Sequence, residues 1–177
     1  LQKMQDEKFW DETSGGYFFA EAASEDLFLR NKELNDGAIP AGNAVTALNL
    51  LHLHALTLKK EYHNRVETLF KVISSHVGRH PPSYAATLIA LDYALDESKE
   101  VVLVGSSTDP TTKLFLQQLR ATFLPNVVYA VGEPGHYDPI TILNDRPQIA
   151  DKPTFYVCEK NICKRPTTDV EEAINLI

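Results

Sequence analysis

The chain has 177 residues and a mass of 19.8 kDa, enough for one ordinary domain or two small ones. Apolar residues make up 44% and charged residues 23%. That balance excludes a disordered chain, and no apolar run reaches the roughly 20 residues that span a bilayer. The net charge of −7 excludes nucleic acid and anionic membranes as main partners.

Lys3, Asp6, Glu7 and Lys8 do not read as a secretory signal, and a cytoplasmic location is expected. The first residue is Leu1, and the single methionine, Met4, falls inside a predicted helix. The expectation is that the chain is the C-terminal piece of a longer protein.

The first half reads as helical. Residues 1–9 predict a helix, packed down by Phe9 and Trp10. Asp11 to Gly16 is turn chemistry, with two glycines free to take positive φ. Tyr17–Ala20 and Leu27–Arg30 predict a small hairpin or two extended arms. Asn35 to Asn43 predicts a loop, with Asn43 as a helix N-cap. Three helices are then expected. Residues 43–58 carry Val45, Leu48, Leu51 and Leu58, with a second stripe at Leu50, Leu53 and Leu56. Residues 60–77 carry Tyr62, Val66, Leu69, Phe70 and Ile73 on one face, and Gly78 and Pro81-Pro82 end them. Residues 82–95 carry Tyr84, Leu88, Leu91 and Leu95.

Near residue 98 the period changes. Glu100 to Gly105 and Asn126 to Val131 are continuous apolar runs, the pattern of strands buried on both faces. Between them, Asp109 to Leu124 predicts an amphipathic helix, so the three form a βαβ unit with parallel strands. Gly132 to Pro153 predicts mostly loop. Thr154–Cys158 predicts a third strand, and Ile162–Lys164 its short antiparallel partner. Asp169 predicts the N-cap of a last helix. The expected fold class is therefore α followed by α/β: antiparallel helical hairpins over residues 1–97 and a small α/β sheet unit over 98–177.

Chemistry-bearing motifs are few. If Lys160 and Asn161 form a two-residue turn, Cys158 faces Cys163 at a non-hydrogen-bonded position, where Cα atoms lie about 4.5 Å apart. The pair then either packs the hairpin as two small apolar side chains or forms a labile redox bridge. His52 and His54 lie two apart on one helix and cannot share a ligand site, so no metal or other cofactor is expected. The loop Val104 to Asp109 follows a strand but lacks a glycine-rich phosphate fingerprint. The aromatics of Phe9 to Phe19 are a different matter. Sugars offer C–H faces to rings such as Trp10 and Tyr17, and hydroxyls to groups such as Arg30, Asp36 and Asn43. A carbohydrate pocket and a plain core remain the two readings.

The runs F-W-D-E-T-S-G-G-Y-F (Phe9–Phe18), D-G-A-I-P-A-G-N (Asp36–Asn43) and Y-V-C-E-K-N-I-C-K-R-P-T-T-D (Tyr156–Asp169) resemble the C-terminal region of the spermatogenesis-associated protein 20 family. Its members are also called thioredoxin-domain-containing or YyaL-like proteins. Ala41 departs from the family's usual Ser. The resemblance implies a parent with a thioredoxin-like domain and an (α/α)6 toroid like that of N-acylglucosamine 2-epimerases. The helices here would be the last toroid hairpins, with Arg30, Asp36 and Asn43 near its cavity. The catalytic histidines of those epimerases have no clear match. The expected partners are a carbohydrate ligand, the remainder of the parent chain, and a second copy of this one, since toroid helices cut from their neighbours expose apolar faces. By itself the chain is expected to lack activity. The alternative is a structural or interaction module that supports a redox domain.

Overall fold

The computed structural model describes residues 1–21, 29–160 and 162–177. They form six α-helices and a four-stranded mixed sheet, so a helical segment precedes a small α/β unit. The chain divides into two units, one of residues 1–51 and 60–92, the other of residues 52–59 and 93–177.

The first unit is helical. Helix α1 covers Gln2–Phe9, and the turn that follows is held by Asp11, whose carboxylate accepts from Thr13 N and Ser14 N at 2.8 and 3.3 Å. Gly15 and Gly16 take φ of +75° and +81° there. A Cβ on Gly15 would sit 2.4 Å from Thr68 Cγ2, so glycine is required both by conformation and by space. Tyr17 then pairs with Trp10 in an isolated antiparallel bridge, and Phe19 N donates to Asn31 O at 2.8 Å. Leu27 and Phe28, half of the second predicted arm, lie outside the described residues.

Helix α2 covers Gly42–Thr57, one residue ahead of its predicted start. The stripe it buries is Ala44, Ala47, Leu50 and Leu51, while Val45 is exposed. The larger side chain therefore points outward where only alanine is small enough for close approach. Helix α3 spans Lys60–Val77 as predicted, burying Val66, Leu69 and Ile73 on one face. The third predicted helix starts as a 3₁₀ turn at Pro81–Tyr84 and becomes helix α4 at Ala85–Leu95. Two prolines lacking N–H groups explain the tighter start. Its buried positions are Thr87, Ala90 and Tyr93, which leaves Leu88, Ile89 and Leu95 exposed.

In the second unit the sheet order is β2-β1-β3-β4. Strand β1 (Lys99–Val104) lies at the centre, parallel to β2 (Val127–Gly132) and antiparallel to β3 (Thr154–Glu159), which pairs with β4 (Ile162–Cys163). Helix α5 (Pro110–Ala121) joins β1 to β2, and Asp109 caps it by accepting from Thr111 N at 2.7 Å. It stops three residues short of prediction because Thr122 is already extended. Helix α6 covers Val170–Asn175, capped by Asp169.

Each face of β1 has its own core. On one face Val101, Leu103 and Phe155 meet Phe115 and Leu119 of α5 and Ala173 of α6. On the other, Val102, Val104, Ala130 and Tyr156 meet Ile142 and Leu143, with Leu56 packed against them. Ile142 and Leu143 belong to a 3₁₀ turn, Thr141–Leu143, inside the long predicted loop. Among the described residues, no helix is long and apolar enough to cross a membrane, and no group of His, Cys, Asp and Glu could hold a metal ion.

Candidate functional site

The first unit contains a cleft of about 340 Å³ beside the turn that follows α1. Phe9, Tyr17, Phe18, Phe19, Ile39 and Pro40 supply its apolar walls, and Gln5, Glu33 and Asn43 its polar groups. Of the five residues predicted to bind a ligand, Tyr17 and Asn43 line this cleft. Trp10, Arg30 and Asp36 do not.

Asn43, predicted as the N-cap, is instead the second residue of α2. Its amide is 3% exposed and clamps the wall of the cleft. Oδ1 accepts from Tyr17 N at 2.7 Å, and Nδ2 donates to Tyr17 O at 2.9 Å and Glu33 O at 3.0 Å. Asp36 performs a similar task in the loop. One carboxylate oxygen accepts from Ala41 N at 2.9 Å and the other from Ala86 N at 2.8 Å, at the start of α4. Arg30 donates to Ala20 O and Lys8 O, and its guanidinium lies 3.9 Å from the Phe18 ring centroid. Trp10 meets Tyr17 edge to face at 5.0 Å, with the Arg65 guanidinium 4.7 Å from its ring. All five predicted residues therefore hold the cleft's walls in place.

Tyr17 donates its hydroxyl proton to Asp6 Oδ1 at 2.6 Å. Burial, and then the neighbouring carboxylate, push the Tyr17 hydroxyl far above its ordinary range, so it stays protonated. Behind the turn, Lys32 Nζ donates to Asp11 Oδ2 at 2.5 Å, Ser14 Oγ at 2.7 Å and Gly15 O at 2.6 Å. The Lys32 ammonium first, then Ser14 and Thr13, hold the Asp11 carboxyl well below 3.8. A depressed carboxylate stabilises the fold at any pH above its unfolded value, and that stability is lost as pH falls through the folded value. The Asp11 carboxyl, followed by carbon NMR, is therefore expected to titrate well below 3.8 in the native chain. In Lys32→Met its midpoint should move back towards 3.8.

Glu33 and Gln5 are the polar groups the sequence reading missed. Glu33 is exposed at the rim. Gln5 donates through Nε2 to Thr46 Oγ1 at 2.9 Å.

The second unit holds the other predicted pair. Cys158 and Cys163 are bonded as a disulfide across β3 and β4, in the register expected from a two-residue turn. Asn161 of that turn lies outside the described residues. The Cα atoms sit 3.8 Å apart. Cys158 is buried and Cys163 exposed. Beside them lies Arg146, which no motif or spacing singles out. Its Nη1 is 3.2 Å from Cys163 Sγ and its Nη2 3.7 Å from Cys158 Sγ.

No protein-family model matches the chain. Spermatogenesis-associated protein 20 of Rattus norvegicus is 34% identical to it over the whole chain, and so is the Homo sapiens protein of that name. The chain is a homologue of part of spermatogenesis-associated protein 20. An uncharacterised protein of Caenorhabditis elegans is 31% identical over 97% of the chain. The chain spans about 23% of the length of the rat and human relatives, consistent with the C-terminal region of spermatogenesis-associated protein 20. The cleft and the disulfide thus both lie within the stretch shared with spermatogenesis-associated protein 20.

Proposed function

We propose that the aromatic cleft of the first unit is one wall of a carbohydrate-binding cavity in the longer parent protein, and that this chain supplies recognition and no chemistry of its own. One observation carries the reading. Four aromatic side chains, Phe9, Tyr17, Phe18 and Phe19, converge on a single cleft with the Glu33 carboxylate and the Gln5 amide. Rings for C–H faces next to acceptors for hydroxyl groups are what a sugar requires. Asp36 and Asn43 serve this reading by holding the walls. Asp36→Ala would weaken binding by releasing the loop, so it cannot distinguish contact from support.

Phe19 and Glu33 are exposed, and their replacement is expected to leave the fold intact. Saturation-transfer NMR with N-acetylhexosamines and neutral disaccharides should detect binding, to this chain or to the full-length rat relative. Phe19→Ala and Glu33→Ala should each weaken it by about five- to tenfold, the size of one lost ring or hydrogen-bond contact. Absence of transfer from every sugar to both proteins would sink the proposal.

A second reading is favoured by the same rim. Phe19, Leu29 and Ile39 are 73%, 81% and 77% exposed, and Leu88 and Ile89 are exposed on α4. In an interaction module these side chains pack against the rest of the parent, within the proposed toroid. The isolated chain should then self-associate through them. Light scattering would give a mass well above 19.8 kDa. A monomer that fails to bind an apolar dye would argue against this second reading.

A further inference from the structure

The disulfide and its arginine take no part in the cleft, and their arrangement points to chemistry of another kind. We propose that the Cys158–Cys163 disulfide is a thiol–disulfide exchange centre that accepts electrons from a dithiol, with the Arg146 guanidinium stabilising the thiolate that leaves.

The two sulfurs differ in access. Cys163 lies on β4, a two-residue strand with both residues exposed. Cys158 is 1% exposed in the sheet. An incoming thiolate therefore reaches Cys163 first. Arg146 touches both sulfurs through separate nitrogens. A disulfide sulfur is a weak acceptor and makes little use of a charged donor, whereas a thiolate makes a charge-assisted bond to it. The guanidinium is also fixed in place. Nε donates to Ile142 O at 2.6 Å, and the group lies 5.0 Å from the Tyr156 ring centroid. Burial disfavours its charged form, while the nearby Glu100 carboxylate favours it. Glu100 stands opposite Cys158 in the register of β1 and β3, so a new thiolate there would feel both charges. Finally, the bridge joins residues only five apart in sequence. A bridge closing so short a loop restricts the unfolded chain least, so its value as a structural staple is small.

The exchange balances in two displacements. A thiolate of the dithiol forms a bond to Cys163 Sγ as the Cys158–Cys163 bond breaks, and the electron pair leaves on Cys158 Sγ beside Arg146. The second thiol of the reductant then loses its proton and displaces Cys163. The reductant ends as a disulfide, two electrons poorer, and the protein as two thiols carrying two added protons.

The test is the rate of reduction by dithiothreitol, followed by iodoacetamide trapping and mass spectrometry. Arg146→Met should slow reduction by about tenfold, and Arg146→Lys should restore most of the rate. A structural role alone would not be rescued by charge in this way. A rate for Arg146→Met within about twofold of wild type would overturn the role of Arg146. Should Arg146→Met fail to fold, the wild-type chain decides. Glutathione should leave its transient adduct on Cys163. An adduct on Cys158, or reduction no faster than global unfolding, would overturn the exchange centre itself.

Discussion

Replacing Asn43 with alanine is expected to destabilise the first unit by roughly 3–5 kcal/mol. The change removes three hydrogen bonds at once and leaves Tyr17 N, Tyr17 O and Glu33 O without the amide that pairs them. Each orphaned buried backbone group costs about 1–3 kcal/mol, and partial access of water to the Glu33 carbonyl trims the sum. Asn43→Asp sharpens the test. It keeps the acceptor for Tyr17 N but turns two donated bonds into carboxylate–carbonyl repulsions, so it should rescue little. Trp10 is the only tryptophan and meets Tyr17 edge to face. Its fluorescence during urea unfolding reads the affected unit directly. A loss below about 1 kcal/mol for Asn43→Ala would mean that the clamp is replaceable by solvent.

Phe115→Ala should cost about 3–5 kcal/mol in the second unit. Phe115 is 1% exposed and packs on Phe155 with ring centroids 4.4 Å apart. It is the largest side chain that α5 presents to β1, and Val101, Leu103 and Ala173 complete its surroundings. Alanine would leave a cavity that neighbours fixed in a sheet cannot close. Phe115→Leu should cost about 1–1.5 kcal/mol, because it keeps most of the volume. Hydrogen exchange at the amides of Val101–Val104 is the measurement. Protection in the alanine variant equal to wild type would show that this face of the sheet does not depend on the ring.

The parts legible in sequence were those with a strong local pattern. Val66, Leu69 and Ile73 recur at helical spacing and gave α3 its correct bounds. The apolar runs at β1 and β2 announced the parallel pair, but only β1 is buried on both faces, since β2 lies at the sheet edge and exposes Tyr129. That Cys158 faces Cys163 followed from turn length, but that the two are bonded did not. What sequence did not reveal was decided at a distance. Nothing local shows that β3 takes the free side of β1, because strand order is a property of packing. Val45 and Leu88 matched an apolar stripe and are exposed, since small side chains elsewhere on their helices allow closer contact. Asp36, Asn43 and Arg30 were recognised as important polar residues. Their partners are backbone atoms up to 50 positions away, which no spacing rule reveals. Arg146 lies 12 and 17 residues from its two cysteines in a segment without periodicity, and so stayed invisible.

The short segment that follows the third strand has a further consequence. Ile162 and Cys163 pair with β3, Lys164 N donates to Val157 O, and Thr167 exchanges two backbone bonds with Phe155. Residues 162–167 thus act as a cover over one rim of the sheet. Beneath it lies T-F-Y-V-C-E, rich in β-branched and aromatic residues and without proline, the composition that seeds fibrils when left uncovered. A proteolytic nick within 162–167 would strip that cover and present β3 as a template to other copies. The price of an exposed segment is then insolubility, set by six residues of which only Thr167 is buried.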